Sequence, residues 1–330
     1  MPYYPPKPDP KSDPRPDPPS GNNPSRKASL LRLALLCVSV LLIAYGSFRL
    51  IRYGSDWISS QRTTRDLREA ADAAEAAAEA DAAAEAEAAD VPEGSSAPAS
   101  AQPRQESPTR RPTEASSSVQ TSPSLSDTLP EVPYPGGFEL NERIRALRKK
   151  SKYIIGWITM DELDEPVVCR DNTFFLDHDV MGKQNVNGAI FMDETTRLLT
   201  RPYTILLFGH NMKSGAMFGR LHKYRTFSYC YRHRIFRFDT LYEEGTYTAF
   251  SVGIVSLIPG TSRYLDISAL ESSDRETRRS AVKTLQRLSE VNMPTDVNEE
   301  DQILVLVTCE GSDDERLILA ARRQREGERF

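Results

Sequence analysis

Three residues in the C-terminal part of the chain have the types and settings that thiol chemistry needs. Cys309 closes the most apolar run, Ile303-Leu304-Val305-Leu306-Val307-Thr308, and a polar turn, Glu310-Gly311-Ser312-Asp313-Asp314, follows it. A thiol at the end of a buried strand is held rigidly yet opens toward solvent, which suits a nucleophile. The same position equally suits a buried structural cysteine, so position alone does not decide. His210 follows a second apolar run, Thr204-Ile205-Leu206-Leu207-Phe208, with Gly209 allowing the turn; it is the candidate for proton transfer. Arg316 opens the last apolar run, Arg316-Leu317-Ile318-Leu319, seven residues after Cys309. A tight hairpin between the two strands would return its guanidinium beside the thiol, where it could stabilise a thiolate and then an oxyanion; without other context, a surface arginine at a strand start is the commoner reading.

The other candidates are weaker. His178, His222 and His233 stand among charged or aromatic residues and read as surface or half-buried histidines. Cys37 lies in an apolar N-terminal segment, and Cys169 and Cys230 lie in the C-terminal part. There is no CxxC or HxxxH spacing, so zinc is not expected. No Asp/Glu cluster argues for calcium, and no cofactor is expected.

The elements that must position these residues begin at Gly136, where the composition changes. Residues 136–330 suffice for one domain with a sizeable core. Leu140, Ile144 and Leu147 mark a first amphipathic helix. Eight strand-length apolar runs follow: residues 153–159, 167–168, 188–192, 203–208, 235–238, 247–257, 303–308 and 317–320. One helix interrupts them, opened by the capping box Ser273-x-x-Glu276 and carrying Val282, Leu285, Leu288 and Val291. Eight short strands with two helices predict a mostly β fold, a closed or nearly closed eight-stranded barrel.

The front of the chain has another character. Of the 23 prolines in 330 residues, nineteen precede residue 136. Residues 1–29 are dominated by a Pro-rich stretch that forms no packed core and read as a disordered tail. Residues 30–51 read as a membrane segment: Leu33–Phe48 carries no charge, and Arg32 and Arg49 can snorkel. Ala44-Tyr45-Gly46 has the spacing of a signal cleavage site, but a 32-residue front is long for a signal peptide, so the segment is read as an uncleaved anchor. Basic residues flank both sides of the span, and the short tail is placed inside. Residues 52–135 read as a stalk and linker. Asp66–Asp90 holds fourteen alanines and nine acids against one base, with no apolar stripe, and is expected to be a solvated spacer. A Pro/Ser/Thr-rich linker follows. The net charge of −5 comes from that acidic stretch, and the weak basic excess elsewhere excludes a nucleic-acid-binding charge field. Four cysteines in this length exclude a disulfide-stapled mini-domain.

From about residue 138 to the end, the chain resembles the class B sortases. The segments that carry the resemblance are Gly156-Trp157-Ile158, PVVCRDNTFFLDHDVMG at 166–182, NGAIFMDE at 187–194, LLFGHNMKSGAMFGRLHKY at 206–224, LVTC at 306–309 and Arg316-Leu317. The helix between the late strands is similar to the extra helix that distinguishes the class. The resemblance implies a sortase-like barrel in which His210, Cys309 and Arg316 are catalytic. It implies a cell-surface cysteine transpeptidase, of the thiol-protease type, that cuts a C-terminal sorting signal after Thr. The acyl group would pass through a Cys309 thioester to an amine of a peptidoglycan precursor or a pilin. The partners implied are surface proteins bearing that signal and the membrane, with no nucleic acid. The family's strand often reads TLSTC; here Val305 and Val307 replace its Thr and Ser, which bears on substrate choice. The rival readings are a surface cysteine peptidase and a non-catalytic wall-spanning scaffold. A cysteine L,D-transpeptidase fits less well, because its cysteine and arginine stand closer together.

Overall fold

The computed structural model describes residues 24–89, 140–310 and 312–328. Residues 1–23 of the expected tail, residues 90–135 of the expected linker and the expected domain start at 136–139 lie outside the described residues, whereas residues 24–29, expected in the tail, are helical. The chain divides into two compact units, residues 1–54 and 55–330. Helix α1 (Pro24–Ala89) begins in the first unit and continues into the second; in the first it presents Leu33, Leu36, Leu41, Leu42 and Ile43 outward, with no residue of its apolar window buried. Among the described residues this is the one helix long and apolar enough to cross a membrane.

In the second unit eight strands close into a barrel: β1 (Ile154–Met160), β2 (Leu163–Val168), β3 (Ile190–Met192), β4 (Thr204–Phe208), β5 (Ile235–Thr240), β6 (Thr246–Ser256), β7 (Ile303–Glu310) and β8 (Ser312–Arg323). Their order around the barrel is β1-β2-β3-β4-β7-β8-β6-β5, closed by antiparallel pairing of β1 with β5. All eight expected apolar runs became strands. Two pairs, β2–β3 and β4–β7, are parallel and therefore need long connections. One is the loop after β2. The other contains the short α3 (Phe227–Arg232) and α4 (Arg275–Leu288), the expected helix between late strands.

β7 reads as a continuous apolar run because both of its faces are buried. Leu304 and Leu306 pack with Ile205, Leu207, Leu317 and Leu319 in one cluster. Ile303, Val305 and Val307 pack with Leu206, Ile318, Ala320 and the α4 residues Ala281 and Leu285 in another. The α4 cap sits one residue later than the capping box suggested: Asp274 accepts from the Thr277 N–H, and the helix ends before Val291. α2 (Glu142–Lys150) follows the first amphipathic pattern, with Ile144 and Leu147 buried.

The expectation of a free stalk is corrected in part. Residues 52–89 are helical; residues 60–71 lie against the barrel, whereas the described side chains from Asp72 onward are exposed or only partly covered, as in a solvated spacer. Ser60, Thr64, Leu67 and Ala71 line one helix face and are all buried. Leu67 and Ala71 join a cluster with Ile144, Leu147, Trp157 and Phe175. Around them, Thr64 donates to Glu165 (2.8 Å), Asn185 donates to Ser60 (3.0 Å), and Arg68 pairs with Asp164 (2.7 Å). Two of the four contact positions are small hydroxyl residues, so no apolar stripe marks the face.

Candidate active site

The β4–β7 pair sets the geometry. Because it is parallel, both strands end at the same rim of the barrel, with Phe208 beside Val307. The two strand ends are stitched beyond that point. The Gly209 N–H donates to the Val307 carbonyl (3.2 Å), the buried Thr308 hydroxyl donates to the Gly209 carbonyl (2.7 Å), and the Asn211 carboxamide donates to the Cys309 carbonyl (2.8 Å). His210 therefore sits between two residues that are each tied to the strand end carrying Cys309. On the other side of β7, the antiparallel β7–β8 hairpin pairs Cys309 directly with Arg316. The three residues singled out from sequence come from three adjacent strands and converge at one rim.

Each side chain has a definite setting. Cys309 is exposed. Burial pushes the Cys169 thiol up to about 11 and the Cys230 thiol up to about 12, so neither offers thiolate near neutral pH. All four cysteines are free thiols. His210 Nε2 lies 2.6 Å from the Leu176 carbonyl; a carbonyl only accepts, so this nitrogen carries a proton and Nδ1 is left for chemistry. Gly188 makes room for the ring: its φ is +62°, and an added Cβ would stand 2.4 Å from the Phe175 carbonyl and 3.1 Å from His210 Cδ2. Arg316 is half-buried and donates from Nη1 to the Glu315 carbonyl (2.9 Å).

The other histidines are engaged locally. His178 stacks on Phe174 and meets Asp177, His222 bonds the Gly219 carbonyl, and His233 pairs with Asp161. Val305 and Val307 are 0% and 1% exposed. The substitutions that depart from the TLSTC pattern thus pack into the cluster under α4. Sequence reasoning did not single out Asn211, Gly188 or the Leu176 carbonyl. The Asn187-Gly188 pair is a turn signal that could have pointed to the second, and a backbone carbonyl leaves no signal at all.

With this arrangement in view, the comparisons with known proteins decide the family. The model of the Sortase domain family matches residues 160–324, half of the chain. The chain is 30% identical to Sortase B of Listeria monocytogenes over 183 residues, 53% of this chain and 70% of that protein. The chain belongs to the sortase family, class B. This sortase is also 27% identical to Sortase B of Staphylococcus aureus over 186 residues, covering 54% of this chain and 74% of that protein. A solved sortase B complexed with triglycine matches it with a TM-score of 0.50 at 25% identity, over 56% of this chain and 86% of that one. The family consists of cysteine transpeptidases, and the closed eight-stranded barrel with its helix between late strands agrees with that membership.

Proposed function

We propose that this sortase is a cell-surface transpeptidase that cuts a C-terminal sorting signal after Thr and transfers the protein to an amine. The observation that carries the reading is the cross-strand pairing of Cys309 with Arg316 beside the strand end that bears His210. Cys309 thiolate attacks the Thr carbonyl, and the oxyanion is held by the Arg316 guanidinium and the backbone N–H of Glu310. The intermediate collapses to a thioester as the C–N bond breaks, and His210 gives a proton to the departing amine. An acceptor amine then attacks the thioester, loses its proton to His210, and releases the thiolate. The triglycine complex of the related sortase B supports a peptide amine as acceptor, a peptidoglycan precursor or pilin amine in this reading.

In this reading residues 30–51 form a single-pass anchor with the N-terminus cytoplasmic and the barrel outside; the length and apolar composition of α1 there support the membrane span itself. The test is incubation of the chain with a sorting-signal peptide, with and without an amine acceptor. Transfer product is expected. Hydrolysis alone would make the protein a peptidase, and neither product would make it a scaffold.

A further inference from the structure

We infer that Asn211 is a positioning residue that aims the oxyanion-binding N–H of Glu310; the inference rests on the proposed role of Cys309. Asn211 is exposed at the rim and does not face the core. Its carboxamide Nδ2 donates to the Cys309 carbonyl (2.8 Å) and lies 3.2 Å from Glu310 Oε2. The first contact fixes the plane of the Cys309–Glu310 peptide. In a trans peptide the C=O and the following N–H point in opposite directions. With the carbonyl drawn to the β4 side by Asn211, the Glu310 N–H is directed to the β8 side, where Arg316 pairs with Cys309. The β7–β8 register shifts at this peptide: Cys309 faces Arg316 but Glu310 faces Ser312, so the extra residues lie on β8. The regular ladder breaks opposite the Cys309–Glu310 peptide, so a contact from outside that ladder can set its orientation.

Both ends of the brace are themselves held. The loop carrying Asn211 closes on itself through an Asn211–Met217 backbone bridge and a bond from the Phe218 N–H to the His210 carbonyl (3.0 Å). Met217, the bridge partner, takes the left-handed conformation at φ +51°, a cost that a fixed loop geometry must offset. On the far side, Glu310 faces Arg225 at 3.7 Å, and Arg225 is anchored to Glu290 at 2.6 Å. One carboxamide therefore couples the strand end that bears His210 to the peptide following the nucleophile.

Two thiol reagents separate this role from a structural one. Acylation by p-nitrophenyl acetate forms the S–C bond, passes through a tetrahedral oxyanion and expels p-nitrophenolate. Methyl methanethiosulfonate forms an S–S bond by displacement at sulfur, expels methanesulfinate and develops no carbonyl oxyanion. The full chain in detergent is treated with each, and the rate at Cys309 is read by peptide mass spectrometry. In Asn211→Asp and Asn211→Ala the ratio of ester rate to thiosulfonate rate is expected to fall by about tenfold or more, the scale of a misaimed oxyanion donor, with melting unchanged. Rates that fall together, or an unchanged ratio in both variants, overturn the inference. Wild-type acylation at Cys169 or Cys230 in place of Cys309 overturns the catalytic reading itself, and the inference with it.

Discussion

Docking of α1 on the barrel should be pH-dependent, and Glu165 sets the direction. Its carboxyl lies on β2 beneath the helix, in a small cavity lined also by Ser60, Thr64, Asp179, Gly188 and Met217. Burial pushes its pKa from 4.5 up to about 7, with the Thr64 hydroxyl and Arg68 pulling only partly against it and Asp164 adding to it. A carboxyl that holds its proton more tightly in the folded protein stabilises the fold below the unfolded pKa. That stability is lost as pH rises from 4.5 through about 7. At 1.36 kcal/mol per pH unit the full loss is about 3 kcal/mol, which in a domain of this size lowers Tm by about 5–10 °C. Glu165→Gln keeps the shape and removes the charge. Melting at about pH 5 and about pH 8 should show near-equal stability at the lower pH and a more stable variant at the higher, in the proportions that linkage sets. A gap of the same size at both pH values, or a variant less stable at the higher one, would refute the assignment of the pH dependence to this group.

Three further outcomes are expected. Leu67 is 2% exposed, so Leu67→Ala should cost about 2–4 kcal/mol in thermal melting; a chain beginning at residue 136 should likewise melt below one beginning at residue 55, and equal melting would mean that the helix contacts are not formed in solution. Cys309→Ala should abolish the acyl-enzyme seen by mass spectrometry after incubation with a sorting-signal peptide, while Cys169→Ala and Cys230→Ala should leave it. Arg316→Lys should lose most transfer activity, because a point charge cannot span thiolate and oxyanion as a planar fork does; near-native transfer rates would count against a direct role for Arg316.

The barrel strands and the two expected helices, α2 and α4, were legible because each carries its own signal, while the short helix at Phe227–Arg232 was not foreseen. β7 is apolar throughout since it is buried on both faces, and α2 shows its inner face through Ile144 and Leu147. The candidates Cys309, His210 and Arg316 were equally legible, since each sits where an apolar run meets a polar turn. That they meet at one rim was not. It follows from the parallel register of β4 with β7 and the hairpin register of β7 with β8, which are pairings between segments up to a hundred residues apart. The α1 contact face escaped for a related reason: Ser60, Thr64, Leu67 and Ala71 bury little apolar area each, and only the facing cluster around Ile144 and Trp157 makes them a surface. The aim of the Glu310 N–H is a matter of one peptide plane held by the carboxamide of Asn211, 99 residues away. Composition and periodicity report which residues want to be buried and in what local shape; which rim, which neighbour and which direction depend on long-range contacts, and those exist only once the chain has closed the barrel.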